Sequence, residues 1–291
     1  MICTSFTMVL LLISTILING CKKDKSEKKS DTNVTVKLYK EIDRHKLNLH
    51  IFKSENRDKS KAAPVIVFFF GGGWTGGTPK QFFQYSKDFA EMGYVAISAE
   101  YRVKSKHNTT PFECVKDGKS VIRWVRQHAK ELAVDPNKIV AAGGSAGGHV
   151  AACTGVIEGH DEEGEDLKVS SVPNAMILLN PVIDTTVKGY GAEKVKGRET
   201  EISPCHQVQK GIVPTITFHG TQDSIVPFEN VERFTKLMKE AGNTAVLIPF
   251  EGHGHGFFND TSFRPKNDPE NYKKVLAESR KFLEEMKMFP K

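Results

Sequence analysis

The stretch KIVAAGGSAGGHVAAC, Lys138–Cys153, joins a short apolar run to a second apolar pattern through a cluster of glycines. Glycine inside a strand or a helix is destabilising by about 0.5–1 kcal/mol relative to alanine, so a local conformation must require it here. The first run predicts a buried strand, and the pattern after the glycines predicts a helix over about 146–157. A sharp strand-to-helix turn that exposes Ser145 would explain the glycines.

Further apolar runs lie on both sides of this stretch, with helical patterns between them. The predicted strands cover residues 63–70, 94–99, 138–143, 175–180, 214–220 and 245–250, and the predicted helices cover about 79–92, 111–133, 146–157, 227–242 and 269–288. Continuous apolar strands that alternate with helices are typical of a parallel sheet covered on both faces. Alternating apolar and polar residues over 34–55 predict an antiparallel hairpin. The predicted fold class is α/β, with a mostly parallel central sheet, helices on both faces and no large cap domain.

The N-terminus predicts export. Residues 8–18 are an apolar run of 11 residues, shorter than the roughly 20 needed to span a bilayer, and suit a signal peptide. The run ends at LINGC, which resembles the lipobox of bacterial lipoproteins and would place a lipid on Cys21. The polar stretch after it reads as a disordered tether. We expect a signal peptide at 1–20, a lipidated Cys21 and tether at 21–33, and a catalytic domain at 34–291.

This organisation predicts a membrane-anchored lipoprotein on the periplasmic or cell-surface face. An ordinary cleaved signal and an uncleaved anchor are the alternatives. The net charge of +6 is spread along the chain without a dense basic block beyond 22–29, so no nucleic-acid partner is indicated. The oligomeric state is open. Cys114, Cys153 and Cys205 allow at most one disulfide, and their spacing predicts no metal site.

A serine hydroxyl becomes a strong nucleophile only with a base to take its proton and an acid to orient that base. Asp223 follows a predicted strand and His255 follows the last one, in the order expected after the serine. Asp184 is the competing acid and His253 the competing base. A glycine-rich strand-to-helix turn could alternatively hold a phosphate.

Four motifs in order resemble the α/β-hydrolase superfamily of esterases and lipases. They are FFFGGGW at 68–74, GGSAGG at 143–148, HGTQDSIVP at 219–227 and GHGHGF at 252–257. The resemblance implies Ser145 as nucleophile, His255 as general base and then acid, and Asp223 as the orienting carboxylate.

The same resemblance implies an oxyanion hole formed by the backbone N–H groups of Gly72, Gly73 and Ala146. Phe70 stands where the family motif has a histidine, so we expect the loop backbone to be held differently. Trp74 could be a core residue or could contact the substrate.

The implied function is hydrolysis of carboxylic esters through an acyl-enzyme, without a metal or an organic cofactor. By analogy with similar chains, the substrate is predicted to be an acetylated or feruloylated carbohydrate. The alternatives are a general short-chain carboxylesterase or lipase and, from another class, an inactive surface binding module. Residues 185–211 lack periodicity and could form a lid or an irregular substrate loop.

Overall fold

The computed structural model describes residues 1–2, 32–58 and 60–290. The predicted lipidation site at Cys21 and most of the predicted signal peptide lie outside these residues. Eight strands are present in the described part: β1 Thr32–Ile42, β2 His45–Ser54, β3 Ala63–Phe69, β4 Val95–Ala99, β5 Val134–Gly144, β6 Ala175–Leu179, β7 Thr215–Gly220 and β8 Ala245–Phe250. The first strand begins at Thr32, two residues before the boundary expected from the sequence.

The strands form one sheet in the order β1-β2-β4-β3-β5-β6-β7-β8. β1 and β2 form the predicted antiparallel hairpin, and Asp43 and Arg44 at its turn have φ of 48° and 67°, as a two-residue hairpin turn requires. β2 pairs antiparallel with β4, and every later pairing is parallel. The predicted mostly parallel α/β sheet is therefore confirmed.

The helices of the described chain pack on both faces of this sheet, and no separate cap domain interrupts them. They are α1 Phe83–Glu91, α2 Lys104–His107, α3 Pro111–Gln127, α4 Ala129–Leu132, α5 Ala146–Val156, α6 Phe228–Glu240 and α7 Pro269–Glu285. Three short 3-10 turns, Pro79–Phe82, Ala192–Lys194 and Pro204–His206, accompany them. None of the helices in the described ranges is long and apolar enough to cross a membrane.

Local sequence signals account for the helix starts. Thr110 and Glu113 form a capping box at the start of α3, with Pro111 in the first turn, and the Asp268 side chain caps α7. The single helix predicted over 111–133 is instead two, because the chain leaves helical geometry at His128. The second helix ends before Ala133, which has a left-handed φ of 54°.

The sheet brings the ends of distant strands together. Because parallel strands end at a common edge, the segments after β3, β5, β7 and β8 meet at the carboxyl edge of the sheet. These segments carry the FFFGGGW loop, Ser145, Asp223 and His255, respectively. Cys114, Cys153 and Cys205 are buried and free, so these three cysteines form no disulfide with one another.

Candidate active site

Ser145 sits on the turn between β5 and α5 in a sparsely populated backbone conformation, with φ 56° and ψ −122°. Such a conformation costs on the order of 1–3 kcal/mol and persists only where its surroundings enforce it. A Cβ at Gly143 would lie 2.3 Å from the Gly147 carbonyl oxygen, and a Cβ at Gly147 would lie 2.1 Å from that of Phe69. The glycines are thus required by the close approach of backbone to backbone at this turn.

The structure brings Ser145, His255 and Asp223 into one hydrogen-bonded chain. His255 Nδ1 lies 2.7 Å from Asp223 Oδ2, and His255 Nε2 lies 2.9 Å from Ser145 Oγ. Since a carboxylate can only accept, Nδ1 carries the proton, which leaves Nε2 free to accept the serine hydroxyl proton. The Asp223 side chain is fully buried, that of His255 is 17 % exposed and Ser145 is half-buried, so the imidazole and the serine face the solvent side.

The loop after β7 holds Asp223 as an anion. Its Oδ1 accepts the backbone N–H groups of Ile225 and Val226, each at 2.9 Å. Its Oδ2 accepts a hydrogen bond from a second histidine, His219, whose Nε2 lies 3.2 Å away. Burial raises the pKa of Asp223, but the hydrogen bonds from His219 and His255 outweigh burial and hold the pKa well below its ordinary value. The carboxylate therefore stays charged beside the His255 ring.

The competing residues lie in other environments. Asp184 is buried, with Oδ2 paired to Arg233 at 2.5 Å and Oδ1 accepting the backbone N–H of Thr186. His253 Nδ1 lies 3.3 Å from the Asn271 amide. Neither residue takes part in the hydrogen-bonded chain at Ser145.

The oxyanion loop, residues 71–74, follows β3 beside the serine. A Cβ at Gly71 would lie 3.3 Å from the Cβ of Ser145, which places the start of the loop next to the nucleophile position. Gly72 and Gly73 have φ of 131° and 60°, and in the described structure neither they nor Ala146 donate their backbone N–H to an acceptor. All three groups are available as donors, and Ala146 begins α5, whose N-terminus adds partial positive charge.

The family motif has a histidine at the position of Phe70. In this chain, side chains from other elements hold the loop instead. Phe70 stacks on Tyr101 with ring centroids 4.2 Å apart, and the Tyr101 hydroxyl donates to the Phe70 carbonyl at 2.5 Å. Gln81 Oε1 accepts the Gly71 N–H at 2.7 Å, while its Nε2 donates to Asn259 Oδ1 at 2.8 Å. The Asn259 side-chain amide donates a hydrogen bond to the Gly256 carbonyl. One chain of hydrogen bonds therefore links the oxyanion loop to the His255 loop.

Residues 185–211 form an irregular segment that reaches the oxyanion loop. Lys194 Nζ donates to the Gly73 carbonyl at 3.2 Å and to the Tyr190 hydroxyl at 3.1 Å. A Cβ at Gly73 would lie 2.7 Å from the Tyr190 hydroxyl, so this position leaves no room for a side chain. The segment is therefore a wall of the site.

Trp74 lies beneath the same segment and is 1 % exposed. Its ring packs edge-on against His149, with ring centroids 5.0 Å apart, and at a tilt of 38° against Tyr190, with centroids 5.7 Å apart. Of the two interpretations offered by the sequence, the packing favours a core residue, although Trp74 also borders a cavity beside the oxyanion loop.

Sequence reasoning did not assign a role to Gln81, His219 or Lys194. His219 could have been found, since it belongs to the HGTQDSIVP motif and lies four residues before the acid. Gln81 and Lys194 carry no local signal, because their partners lie 10 and 121 residues away. Among the described residues no group of three or more His, Cys, Asp or Glu side chains could hold a metal ion.

Comparison with known proteins shows which families this chain resembles. The sequence profile of the BD-FAE family matches residues 49–195, which include the oxyanion loop and Ser145. The profile of the dienelactone hydrolase family matches residues 174–287, which include Asp223 and His255. Esterase LipC of Mycobacterium tuberculosis is 27 % identical over 219 residues, which are 68 % of this chain and 54 % of LipC. The chain spans about half the length of the curated relatives that it matches.

The matches to solved structures cover a larger share of both chains than the matches to the curated relatives. Thermogutta terrifontis esterase 2 phosphorylated by paraoxon is 46 % identical with a TM-score of 0.83, over 89 % of this chain and 96 % of that chain. The propionate-bound form of the same esterase is 45 % identical with a TM-score of 0.83, over 89 % and 96 % of the two chains. The chain belongs to the BD-FAE family and, with it, to the α/β-hydrolase serine esterases.

Proposed function

We propose that this protein hydrolyses carboxylic esters through a covalent acyl-enzyme on Ser145. The observation that carries the proposal is the position of His255, hydrogen-bonded to Ser145 Oγ on one side and to a buried, charged Asp223 on the other. This arrangement activates a hydroxyl that is otherwise a weak nucleophile.

The reaction follows from the contacts. Ser145 Oγ attacks the ester carbonyl carbon as its proton passes to His255 Nε2, and the buried Asp223 carboxylate stabilises the imidazolium. The negative charge on the former carbonyl oxygen meets the N–H groups of Gly72, Gly73 and Ala146, each worth about 3 kcal/mol in such sites. His255 returns the proton to the leaving alcohol, and the acyl group remains on Ser145.

Water then completes the cycle. His255 takes a proton from water, the resulting hydroxide attacks the acyl-enzyme carbonyl, and the proton returns to Ser145 Oγ as the carboxylic acid leaves. The backbone donors and the triad serve both halves of the reaction, since both pass through a tetrahedral oxyanion at the same position.

The proposed substrates are acetyl esters on plant or algal polysaccharides or oligosaccharides. The relative with bound propionate supports a short acyl group and favours acetyl over feruloyl esters. The export signal and the lipidated Cys21 predicted from the sequence support a surface enzyme that meets polymers outside the cell, anchored to a membrane by lipid. A general short-chain carboxylesterase is the second candidate, because the curated relative LipC is named only as an esterase.

Release of acetate and ferulate from acetylated and feruloylated xylan by the full chain tests the substrate. We expect acetate release that disappears in Ser145→Ala. Hydrolysis of 4-nitrophenyl acetate without any release from xylan would support the general carboxylesterase, and equal rates in Ser145→Ala would contradict the acyl-enzyme.

A further inference from the structure

A cavity of about 430 Å³ lies beside the oxyanion loop. This volume falls within the range of sites that hold small organic molecules. Its walls come from the oxyanion loop, from α2 and the link to α3, and from the 3-10 turn Ala192–Lys194. The lining residues include Gly73 and Trp74 of the oxyanion loop and three charged side chains, Lys104, Glu193 and Lys194. Gly73 belongs to both the cavity and the proposed oxyanion hole, so the cavity adjoins the place where the ester carbonyl would bind.

The charged side chains of the cavity favour an anion. Lys104 and Lys194 contribute two ammonium groups, and Glu193 contributes the one carboxylate among the lining residues. Lys104 has no ion pair or side-chain hydrogen bond within the described chain. Lys194 lies 3.9 Å from Glu193, whose side chain is 67 % exposed, so that pairing is weak. The cavity therefore keeps a positive charge that a carboxylate on the ligand would complement.

The function proposed above makes the alcohol part of the ester a sugar. A sugar that carries a carboxylate is a hexuronic acid. Its negative charge is the feature that the ammonium groups of Lys104 and Lys194 would recognise.

We propose that this cavity binds the alcohol part of the ester and that Lys104 and Lys194 select a sugar that carries a carboxylate. The proposal rests on the acetyl esterase function given above. An acetyl group has one methyl carbon beyond its carbonyl, so a cavity of this size at the oxyanion loop serves the alcohol.

Two triacetates that differ by one carboxylate test this inference: methyl 2,3,4-tri-O-acetyl-glucopyranosiduronate and methyl 2,3,4-tri-O-acetyl-xylopyranoside. The measurement is kcat/KM for acetate release by the full chain. We expect the wild-type protein to prefer the uronate by about fivefold, the effect of a partly exposed charge pair. Lys104→Gln should remove most of this preference.

Lys106→Gln is the matched control, because Lys106 lies on the same helical turn but lines a different cavity with Phe70 and Tyr101. We expect this variant to keep the wild-type ratio. Equal kcat/KM for the two triacetates, or the same ratio in Lys104→Gln as in the wild type, would overturn the subsite alone. Turnover of 4-nitrophenyl acetate with no release from either triacetate would overturn the carbohydrate substrate and the subsite together. Loss of all turnover, including that of 4-nitrophenyl acetate, would overturn the ester hydrolase function and with it the subsite.

Discussion

The triad and the oxyanion loop lie side by side at the carboxyl edge of the sheet, but different contacts hold them. Ser145, Asp223 and His255 lie one, three and five residues after the end of a strand, and backbone N–H groups of its own turn hold the Asp223 carboxylate. The oxyanion loop has turn hydrogen bonds of its own, in which the Gly72 carbonyl accepts the N–H groups of Thr75 and Gly76. It also depends on Gln81 and Lys194, side chains that belong to other elements.

The difference determines what a substitution does. A change in the triad removes a chemical group from the proposed reaction. A change around the oxyanion loop leaves the chemical groups in place and displaces the backbone donors by a fraction of an ångström, which weakens transition-state binding without abolishing it.

Asp223→Asn should give the largest effect on turnover. The amide cannot both accept the His255 Nδ1–H and stabilise an imidazolium, so we expect kcat for 4-nitrophenyl acetate to fall by about 10⁴-fold. Asp184→Asn is the matched control, a second buried carboxylate bonded to Arg233 and not to His255. If both variants lost activity equally, the assignment of Asp223 would be wrong.

His149 joins the two regions, since it lies on α5 and packs against Trp74 of the oxyanion loop. Burial lowers the pKa of His149 to about 4, in opposition to its hydrogen bond to the Ile202 carbonyl. An unfolded histidine has a pKa of about 6.5, so both states are neutral above that pH and only the unfolded state takes up the proton below it. The free energy of unfolding should therefore decrease by about 3 kcal/mol from this residue alone between pH 7 and pH 4.

Urea unfolding at pH 7 and pH 4 of the wild type and of His149→Gln measures this contribution. The variant should lose less stability over the same interval, by about 3 kcal/mol. Parallel losses in the two proteins would contradict the buried neutral histidine.

Gln81→Met tests the link between the oxyanion loop and the His255 loop. Loss of the acceptor for Gly71 N–H and of the bond to Asn259 should lower kcat by about 30-fold, less than the roughly 100-fold cost of deleting an oxyanion donor. Gln84→Met is its control, because Gln84 bonds Asp88 on α1. Initial rates with 4-nitrophenyl acetate separate the two variants, and equal rates would place the support of the loop elsewhere.

Lys194→Met should have the smallest effect, a decrease in kcat of about fivefold, because its single hydrogen bond to the Gly73 carbonyl is partly exposed. Lys196→Met removes an exposed lysine from the same segment and should keep the wild-type kcat. A variant at Lys194 that matched Lys196→Met would show that the Lys194 side chain does not stabilise the loop.

The difference between local contacts and contacts from distant elements also explains what the sequence could predict. The GGSAGG turn, the strand runs and the order of Ser145, Asp223 and His255 are local patterns, and the structure places all of them at one edge of the sheet. The pattern over 111–133 predicts one helix, because no glycine or proline marks the break that the structure shows at His128.

The contacts of the oxyanion loop could not be read from the sequence. The substitution of the motif histidine by Phe70 indicated a different support, but not that Tyr101 and Gln81 provide it. The sequence predicts an irregular segment at 185–211. It does not predict the hydrogen bond from Lys194 to the Gly73 carbonyl, because the two residues lie 121 positions apart. Local chemistry was predictable, whereas contacts between distant segments needed the fold.

Covalent labelling by paraoxon tests the central claim most directly, since a relative of known structure is phosphorylated by this compound. Intact-mass and peptide mapping of the full chain should show one diethylphosphoryl group on Ser145, absent in Ser145→Ala and formed more slowly in Asp223→Asn. A label on another residue, or ester hydrolysis that continues at the wild-type rate in Ser145→Ala, would contradict an acyl-enzyme formed on this serine.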